Sequence, residues 1–399
     1  MFNGMRSDNH LKSFEFQGHL LLLHPDRSSL LVLNPTARLI WNAIGGGMTP
    51  AEAARLLADS FGLGLASAAA DVDTAIEQWR ASGLLATPAP RHDHATTPER
   101  AAPPAPPPGR FEGSRIYALC GRPIRLRFET ESLRALVEPL LAPAETADVA
   151  FAETIDLYGD GAATVIAVDG RETERAADTE EAIGMLISRI LDLSYPEARW
   201  LAVIHAGAVA DERGAVLLPA ASGSGKSTLT AGLVHAGLRY LSDDAAALDG
   251  RTERLVPVPF AACLKQGSWP VLAARFPALT ELPIYATNGT RRRYLDLSRR
   301  SPRPPVAGLP VQAIVFPRYG RKRPPAARPL SPLAALEHLL VARCWLSLDT
   351  DDVSATLEWI SRTPAFVVNY SSLDEGIRIV FEALEQAQGG QPQRSSQRA

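Results

Sequence analysis

The chain has 399 residues and a formal net charge of -3 at pH 7, so it is long enough for more than one core, and no bulk positive charge argues for nucleic acid or an anionic membrane. Hydrophobic residues at 46% and charged residues at 21% make an ordinary globular balance. Cys120, Cys263 and Cys344 are odd in number and far apart, which speaks against a disulfide framework or a zinc site. With no secretion signal and no apolar run long enough to span a bilayer, the expected location is the cytoplasm.

Composition divides the chain into a small domain over 1–87, a Pro/Ala-rich linker over 88–112, a large domain over 113–387 and a disordered tail over 388–399. In the first domain, His19–His24 and Ser29–Leu33 are apolar runs flanking Pro25-Asp26-Arg27, the pattern of a hairpin. Asn34-Pro35-Thr36 opens a helix that stops at Gly45-Gly46-Gly47, and Thr49-Pro50-Ala51-Glu52 opens a second with a capping box. A third helix is expected from about Ala70, carrying Val72, Ile76 and Trp79 and ending near Gly83. No catalytic constellation falls here, so the domain reads as a binding or structural module.

Leu33-Asn34-Pro35-Thr36-Ala37, Ile40-Trp41, Thr49–Glu52 and Asp71-Val72 through Trp79 to Leu84-Leu85 together resemble PqqD-type domains, also known as RiPP recognition elements. The resemblance implies a small winged-helix-like α+β module that binds the leader of a ribosomally made precursor peptide by β-augmentation. The groove would lie between the edge at Leu30–Leu33 and the face of Asp71–Ser82. A winged-helix DNA reader is the alternative, but residues 1–87 carry six Lys or Arg against eight Asp or Glu, a balance that repels phosphate.

In the second domain Ala206–Ala210 and Ala215–Pro219 flank Asp211-Glu212-Arg213-Gly214, again a hairpin, whose register puts His205 beside the end of the second strand. There the chain enters Ala220-Ala221-Ser222-Gly223-Ser224-Gly225-Lys226-Ser227-Thr228, a glycine-rich turn suited to cradle phosphates. Lys226 would reach terminal phosphates and the Ser227 hydroxyl would hold Mg²⁺. Ala220 stands where the pattern usually has glycine. A helix over Thr228–Ala236, a stop at Gly237 and a strand over Leu238–Leu241 follow, so a crossover would bring Asp243 and Asp244 to the same sheet edge. One carboxylate could hold the metal and the other accept a proton; alternatively the pair caps a turn.

His205–Val209, Ala220–Thr228 and Tyr240-Leu241-Ser242-Asp243-Asp244 resemble, in order and spacing, the HPr kinase family of bacterial serine kinases. The resemblance implies an α/β P-loop kinase domain of the HPr kinase/PEP carboxykinase type, with ATP and Mg²⁺ as cofactors. Asp243 would be the base, His205 would lie close to the reacting phosphate, and Ser227 with Asp244 would hold the metal. A further acidic metal ligand and the phosphorolysis segment have no counterpart in Gly250–Arg300, so HPr itself is not the expected substrate.

Asn288–Arg328 holds eleven Lys or Arg against the single acid Asp296. Arg291-Arg292-Arg293 could face the transferring phosphoryl group or form a solvated loop. Arg321-Lys322-Arg323 reads as a surface turn, Lys265 as a candidate contact to nucleotide or substrate, and Trp269, Trp345 and Trp359 as core. Leu333–Leu346 and Val353–Ile360 have helical spacing. Together these observations lead to the expectation of an ATP-dependent kinase acting on a serine of a precursor peptide held by the first domain. The alternatives are a nucleotide-regulated peptide chaperone and a kinase of a free small-molecule hydroxyl. The expected partner is thus a peptide, without nucleic acid or membrane, and homo-oligomerisation stays open.

Overall fold

The computed structural model describes residues 11–389 apart from 25–28, 83, 86–110, 148, 222, 288, 301, 303 and 343. The expected turn at Pro25–Arg27, the stop at Gly83, Ser222, most of the linker and nearly all of the tail therefore lie outside the described residues. The chain is a mixed α/β protein that separates into two compact units, one comprising residues 1–100 with 348–357, the other 101–347 with 358–399.

The first unit is built on a sheet of β1 (Lys12–Phe16), β2 (His19–His24) and β3 (Ser29–Leu33), antiparallel throughout and in that order. The β2–β3 hairpin follows the two apolar runs; β1 joins it as a third strand whose mixed sequence, Lys-Ser-Phe-Glu-Phe, gave no comparable signal. Three helices pack on the sheet. Helix α1 (Pro35–Gly45) is capped by the Asn34 side chain on Ala37 N, and α2 (Pro50–Phe61) by a complete Thr49/Glu52 capping box. Helix α3 spans Leu65–Ala81, five residues longer at its start than expected, because Gly64 caps it without any side-chain bond that a sequence could reveal. Leu22, Leu33, Ile40, Leu57, Val72, Ile76 and Trp79 form the core, with Trp41 edge-on to Trp79 at 5.2 Å.

The larger unit begins with a six-stranded sheet of order β6-β4-β5-β7-β8-β9. Its strands are β4 (Gly113–Tyr117), β5 (Ile124–Phe128), β6 (Glu145–Thr146), β7 (Thr154–Asp160), β8 (Ala163–Val168) and β9 (Arg171–Ala176). Helices α4 (Glu131–Leu141) and α5 (Thr179–Ser194) cover it over a core that includes Leu126, Phe128, Ile155, Leu186 and Ile190.

A ten-stranded mixed sheet follows. It contains β10 (Trp200–Ile204), β11 (Ala206–Ala210), β12 (Ala215–Pro219), β13 (Arg239–Ser242), β14 (Ala246–Asp249) and β15 (Arg254–Val256). Helix α6 (Lys226–His235) links β12 to β13. Strands β16 (Ala262–Lys265), β17 (Tyr285–Thr287) and β18 (Thr290–Leu295) form a separate three-stranded sheet, with the short α7 (Trp269–Leu272) between the first two. The large sheet is completed by β19 (Leu309–Tyr319), β20 (Ala326–Pro329), β21 (Cys344–Leu346) and β22 (Ala365–Tyr370). Helices α8 (Pro332–Val341), α9 (Thr350–Arg362) and α10 (Leu373–Gly389) account for the rest.

Strands β12, β19 and β22 run parallel and side by side, and α6 and α10 cover them over Val216, Leu218, Leu229, Leu233, Val315, Val368 and Val380. Helix α6 lies so close to β11 that a Cβ on Gly207 would fall 2.2 Å from Thr230 Oγ1, a contact only glycine permits. Two expectations are corrected here. Leu333–Leu346 is not one helix: α8 stops at Val341, and Cys344–Leu346 pairs with β10 instead. Trp345 on that strand is 56% exposed rather than core, whereas Trp359 is buried.

Candidate functional site

Three strand ends meet at one edge of the large sheet. Ala206 pairs with Pro219, so His205, just before β11, stands beside the loop leaving β12. Strand β13 is antiparallel to β11, as is β12, so β12 and β13 run parallel with β11 between them. They are not neighbours, because the hairpin partner already occupies that side of β12. The crossover nevertheless brings Asp243 and Asp244 to the edge where the loop lies, with His205 between.

The loop turns on Gly223 and Gly225, whose φ values are 89° and 90°, a region that penalises side chains. Ala220 is buried and has no positive φ, so the backbone does not require glycine there. Gly225 caps α6, which starts at Lys226, two residues ahead of the expected Thr228. This directs the N–H groups of the first helical turn, including those of Ser227 and Thr228, toward the loop.

Lys226 is 6% exposed, and its Nζ donates to the Asp243 carbonyl at 2.7 Å, to Asp244 Oδ1 at 3.2 Å and to His205 Nε2 at 3.2 Å. An ammonium only donates, so Nε2 accepts and the proton of His205 sits on Nδ1, 3.3 Å from the Asp244 carbonyl oxygen. Asp244 is the more open carboxylate, with its side chain 26% exposed.

Asp243 is fully buried; its Oδ2 accepts from the Cys263 amide at 3.2 Å, and its Oδ1 has no hydrogen-bond partner. Burial pushes its carboxyl up to about 6; the Lys226 ammonium opposes that, Asp244 adds to it, and the Ser227 hydroxyl and Cys263 amide pull it down. Such a group is largely ionised at neutral pH yet more basic than a surface carboxylate. Among the described residues no cluster of three or more His, Cys, Asp and Glu side chains is available for a metal.

The basic triplet is not a loop. Arg291–Arg293 lie on β18, where alternation sends neighbouring residues to opposite faces. Arg293 stacks on Trp269 at 4.4 Å and donates to the Leu279 carbonyl, while Arg292 pairs in register with Lys265. Burial raises both Cys263 and Tyr294; Asp244 and Asp243 raise Cys263 further, Cys263 and Asp244 raise Tyr294 further, and Arg292 lowers both. Thus Arg292 is the member of the triplet that reaches the electrostatic field of the aspartates, and Lys265 is exposed at the end of β16. The single acid Asp296 is occupied by Ser298 and Arg299. Missing from the sequence reading altogether are Tyr319 and Tyr370, at the ends of β19 and β22, which flank the loop on its other side.

In the smaller unit, β3 is an edge strand of its sheet, and α3 buries Ala68, Val72, Ile76 and Trp79. An open depression of about 530 Å³ lies elsewhere in this unit, lined by Pro35, Arg38, Leu39, Met48 and Leu56 among others.

Residues 19–85 match the family model for coenzyme PQQ synthesis protein D (PqqD). None of the curated proteins compared with the chain matches it. The chain is therefore a mixed α/β protein carrying a PqqD domain toward its N-terminus, and that domain points to the binding of a precursor peptide in peptide modification. Among the described residues no helix is long and apolar enough to cross a membrane.

Proposed function

We propose that the protein is an ATP-dependent kinase of the HPr kinase-like P-loop type that phosphorylates a serine of a ribosomally made precursor peptide held by its PqqD domain. The observation that carries this reading is the meeting of Lys226, His205, Asp244 and the buried Asp243 beside a glycine loop at a helix N-terminus. The unpartnered Asp243 Oδ1 and Ser224 Oγ, together with open space over Gly223, suit a ligand rich in oxygen and hydroxyl groups.

The chain's own groups divide the work. Loop amides and the first turn of α6 hold phosphate oxygens, and Lys226 supplies the fixed cation. Asp243 takes the proton of the attacking serine hydroxyl; its raised basicity matches that task near neutral pH. The Nδ1–H of His205 on the Asp244 carbonyl keeps Nε2 free to accept from Lys226, which positions the ammonium. Ser227 and Asp244 would hold Mg²⁺, which when bound would offset charge on the phosphates. Because the PqqD domain belongs to the same chain, a bound leader raises the effective concentration of the acceptor, so the site itself can bind serine weakly.

Incubating the full chain with ATP, Mg²⁺ and the short peptides encoded next to its gene, followed by mass spectrometry, tests the reading. A peptide gaining one phosphoryl group, and failing to with Asp243→Ala, is the expected result. Peptide binding without transfer would instead support a nucleotide-regulated chaperone. That second reading draws on one feature: all three Lys226 donors are engaged by protein groups, so nucleotide arrival must rearrange the 243–244 segment.

A further inference from the structure

The glycine loop has two flanks, and the aspartates, Lys226 and His205 occupy only one. On the other, the parallel neighbours β19 and β22 both end in tyrosine, Tyr319 in register with Tyr370. Their rings are 5.8 Å apart and inclined at 53°. The Tyr319 amide donates to the Ser224 carbonyl at 3.4 Å. A Cβ on Gly225 would fall 3.4 Å from Tyr319 Cβ and 2.7 Å from the Tyr370 hydroxyl oxygen, so both residues abut the loop.

Their environments differ in a telling way. Tyr370 is 3% exposed, and its hydroxyl, aimed at the start of α6, is buried without a hydrogen-bond partner, as is the Oγ of Ser224 in the loop. A buried hydroxyl in that state calls for a partner that the protein does not supply. Tyr319 leaves 47% of its surface in water, a large ring half-open next to the loop. After it, the turn Gly320-Arg321-Lys322-Arg323, closed by the Arg323 amide on the Gly320 carbonyl at 2.9 Å, brings three cations to the same strand end.

Ligands of open α/β sheets lie outside the carboxyl ends of the parallel strands. If the reacting end of a triphosphate faces Asp243, the remainder of the molecule leaves the loop on the β19/β22 side. We propose that Tyr319, Tyr370 and the 320–323 turn form the nucleoside side of this site, with the Tyr319 ring stacking on the base of a nucleoside triphosphate. The Tyr370 hydroxyl and the cations of the turn serve its sugar–phosphate part. This inference rests on the nucleotide reading above and adds to it a location and a mode of recognition. Stacking accepts any base, since every base has a π-face, so ATP and GTP bind with similar affinity.

Calorimetry on the full chain, with ATP and with inorganic tripolyphosphate as probes, tests this. Tyr319→Ala is expected to weaken ATP by about tenfold, the loss of one stacked base, and to leave tripolyphosphate unchanged; Tyr319→Phe keeps ATP affinity. Lys226→Ala weakens both probes. Unchanged ATP affinity in Tyr319→Ala, with Lys226→Ala still impaired, overturns the stacking role and leaves the nucleotide reading standing. Equal weakening of both probes by Tyr319→Ala also overturns it, since it marks damage to the loop. If the unaltered protein binds neither probe, the nucleotide reading fails and this inference falls with it.

Discussion

Strand β3 of the smaller unit presents an open backbone edge, and between residues 11 and 85 no charged side chain is buried among those described. The strand ends around Asp243 do the opposite: they sink a carboxylate and an ammonium below the surface and leave carboxylate and hydroxyl atoms unpartnered. An edge strand can recognise a peptide through main-chain hydrogen bonds, so its function is a property of the fold and survives large changes in side chains. Buried charge is different. It costs free energy unless some gain in function or binding offsets it, and it resides in a few side chains drawn from distant segments.

The strongest way to break that division is Lys226→Ala. Removing the central cation takes away the common partner of Asp243, Asp244 and His205. Nucleotide affinity and transfer are expected to fall by about a hundredfold or more, with peptide affinity unchanged, as equilibrium binding of each ligand to the full chain would measure. Equal loss of both would mean that the two units do not work separately.

Asp243→Asn comes next, with transfer expected to drop by about 10²- to 10⁴-fold. Its second readout does not depend on substrate. Because the folded value is raised from 3.8 to about 6, the folded state holds this proton more tightly than the unfolded chain. The contribution to stability is therefore most favourable at low pH, declines as pH rises from 3.8 to about 6, and is flat above. Asn carries no such decline, so at neutral pH the variant is expected to be more stable than the parent. Denaturant titrations of both proteins across that range check the sign; a parallel pH dependence would show that Asp243 is not the buried acid described.

A smaller effect belongs to Gly225→Ala. A positive φ and a Cβ 2.7 Å from the Tyr370 hydroxyl oxygen both oppose the side chain, so a loss of more than about 1 kcal/mol is expected. Tyr370→Phe in the same chain should recover the steric part and not the backbone part, giving a double-mutant cycle with measurable coupling. Additive losses would place Tyr370 away from the loop.

Much of this site was legible because its parts are local. Gly-rich turn, helix, Gly237 stop and Asp pair follow one another within 25 residues, and hairpin register alone brings His205 to the loop. Tyr319 and Tyr370 were not legible: they lie 94 and 145 residues downstream of Gly225, and only the parallel pairing of β12, β19 and β22 brings their strand ends together. Arg291–Arg293 was ambiguous because three like charges suggest solvent, whereas pairing with β16 makes a strand of them and splits them between two faces. The N-terminal start of α3 was missed for a simpler reason, since Gly64 offers no side-chain cap to read.

The mildest expected change tests the other side of the comparison. Thr49 Oγ1 accepts from the Glu52 amide at 3.3 Å, and Glu52 Oε2 accepts from the Thr49 amide at 2.8 Å. Thr49→Ala removes one half of this box and is expected to cost about 1 kcal/mol locally. Hydrogen exchange of the full chain would show it as faster exchange across α2 with no change across α6. Glu52 is held below its ordinary value of 4.5, first by the Thr49 amide and then by its hydroxyl, so the box stabilises above that value and is lost as pH falls through the lowered one. The difference between Thr and Ala at position 49 should therefore shrink in acid, over a range where Asp243 becomes less unfavourable to folding. Opposite pH responses in the two units would separate a module stabilised by exposed, ionised caps from a site burdened by a buried carboxylate.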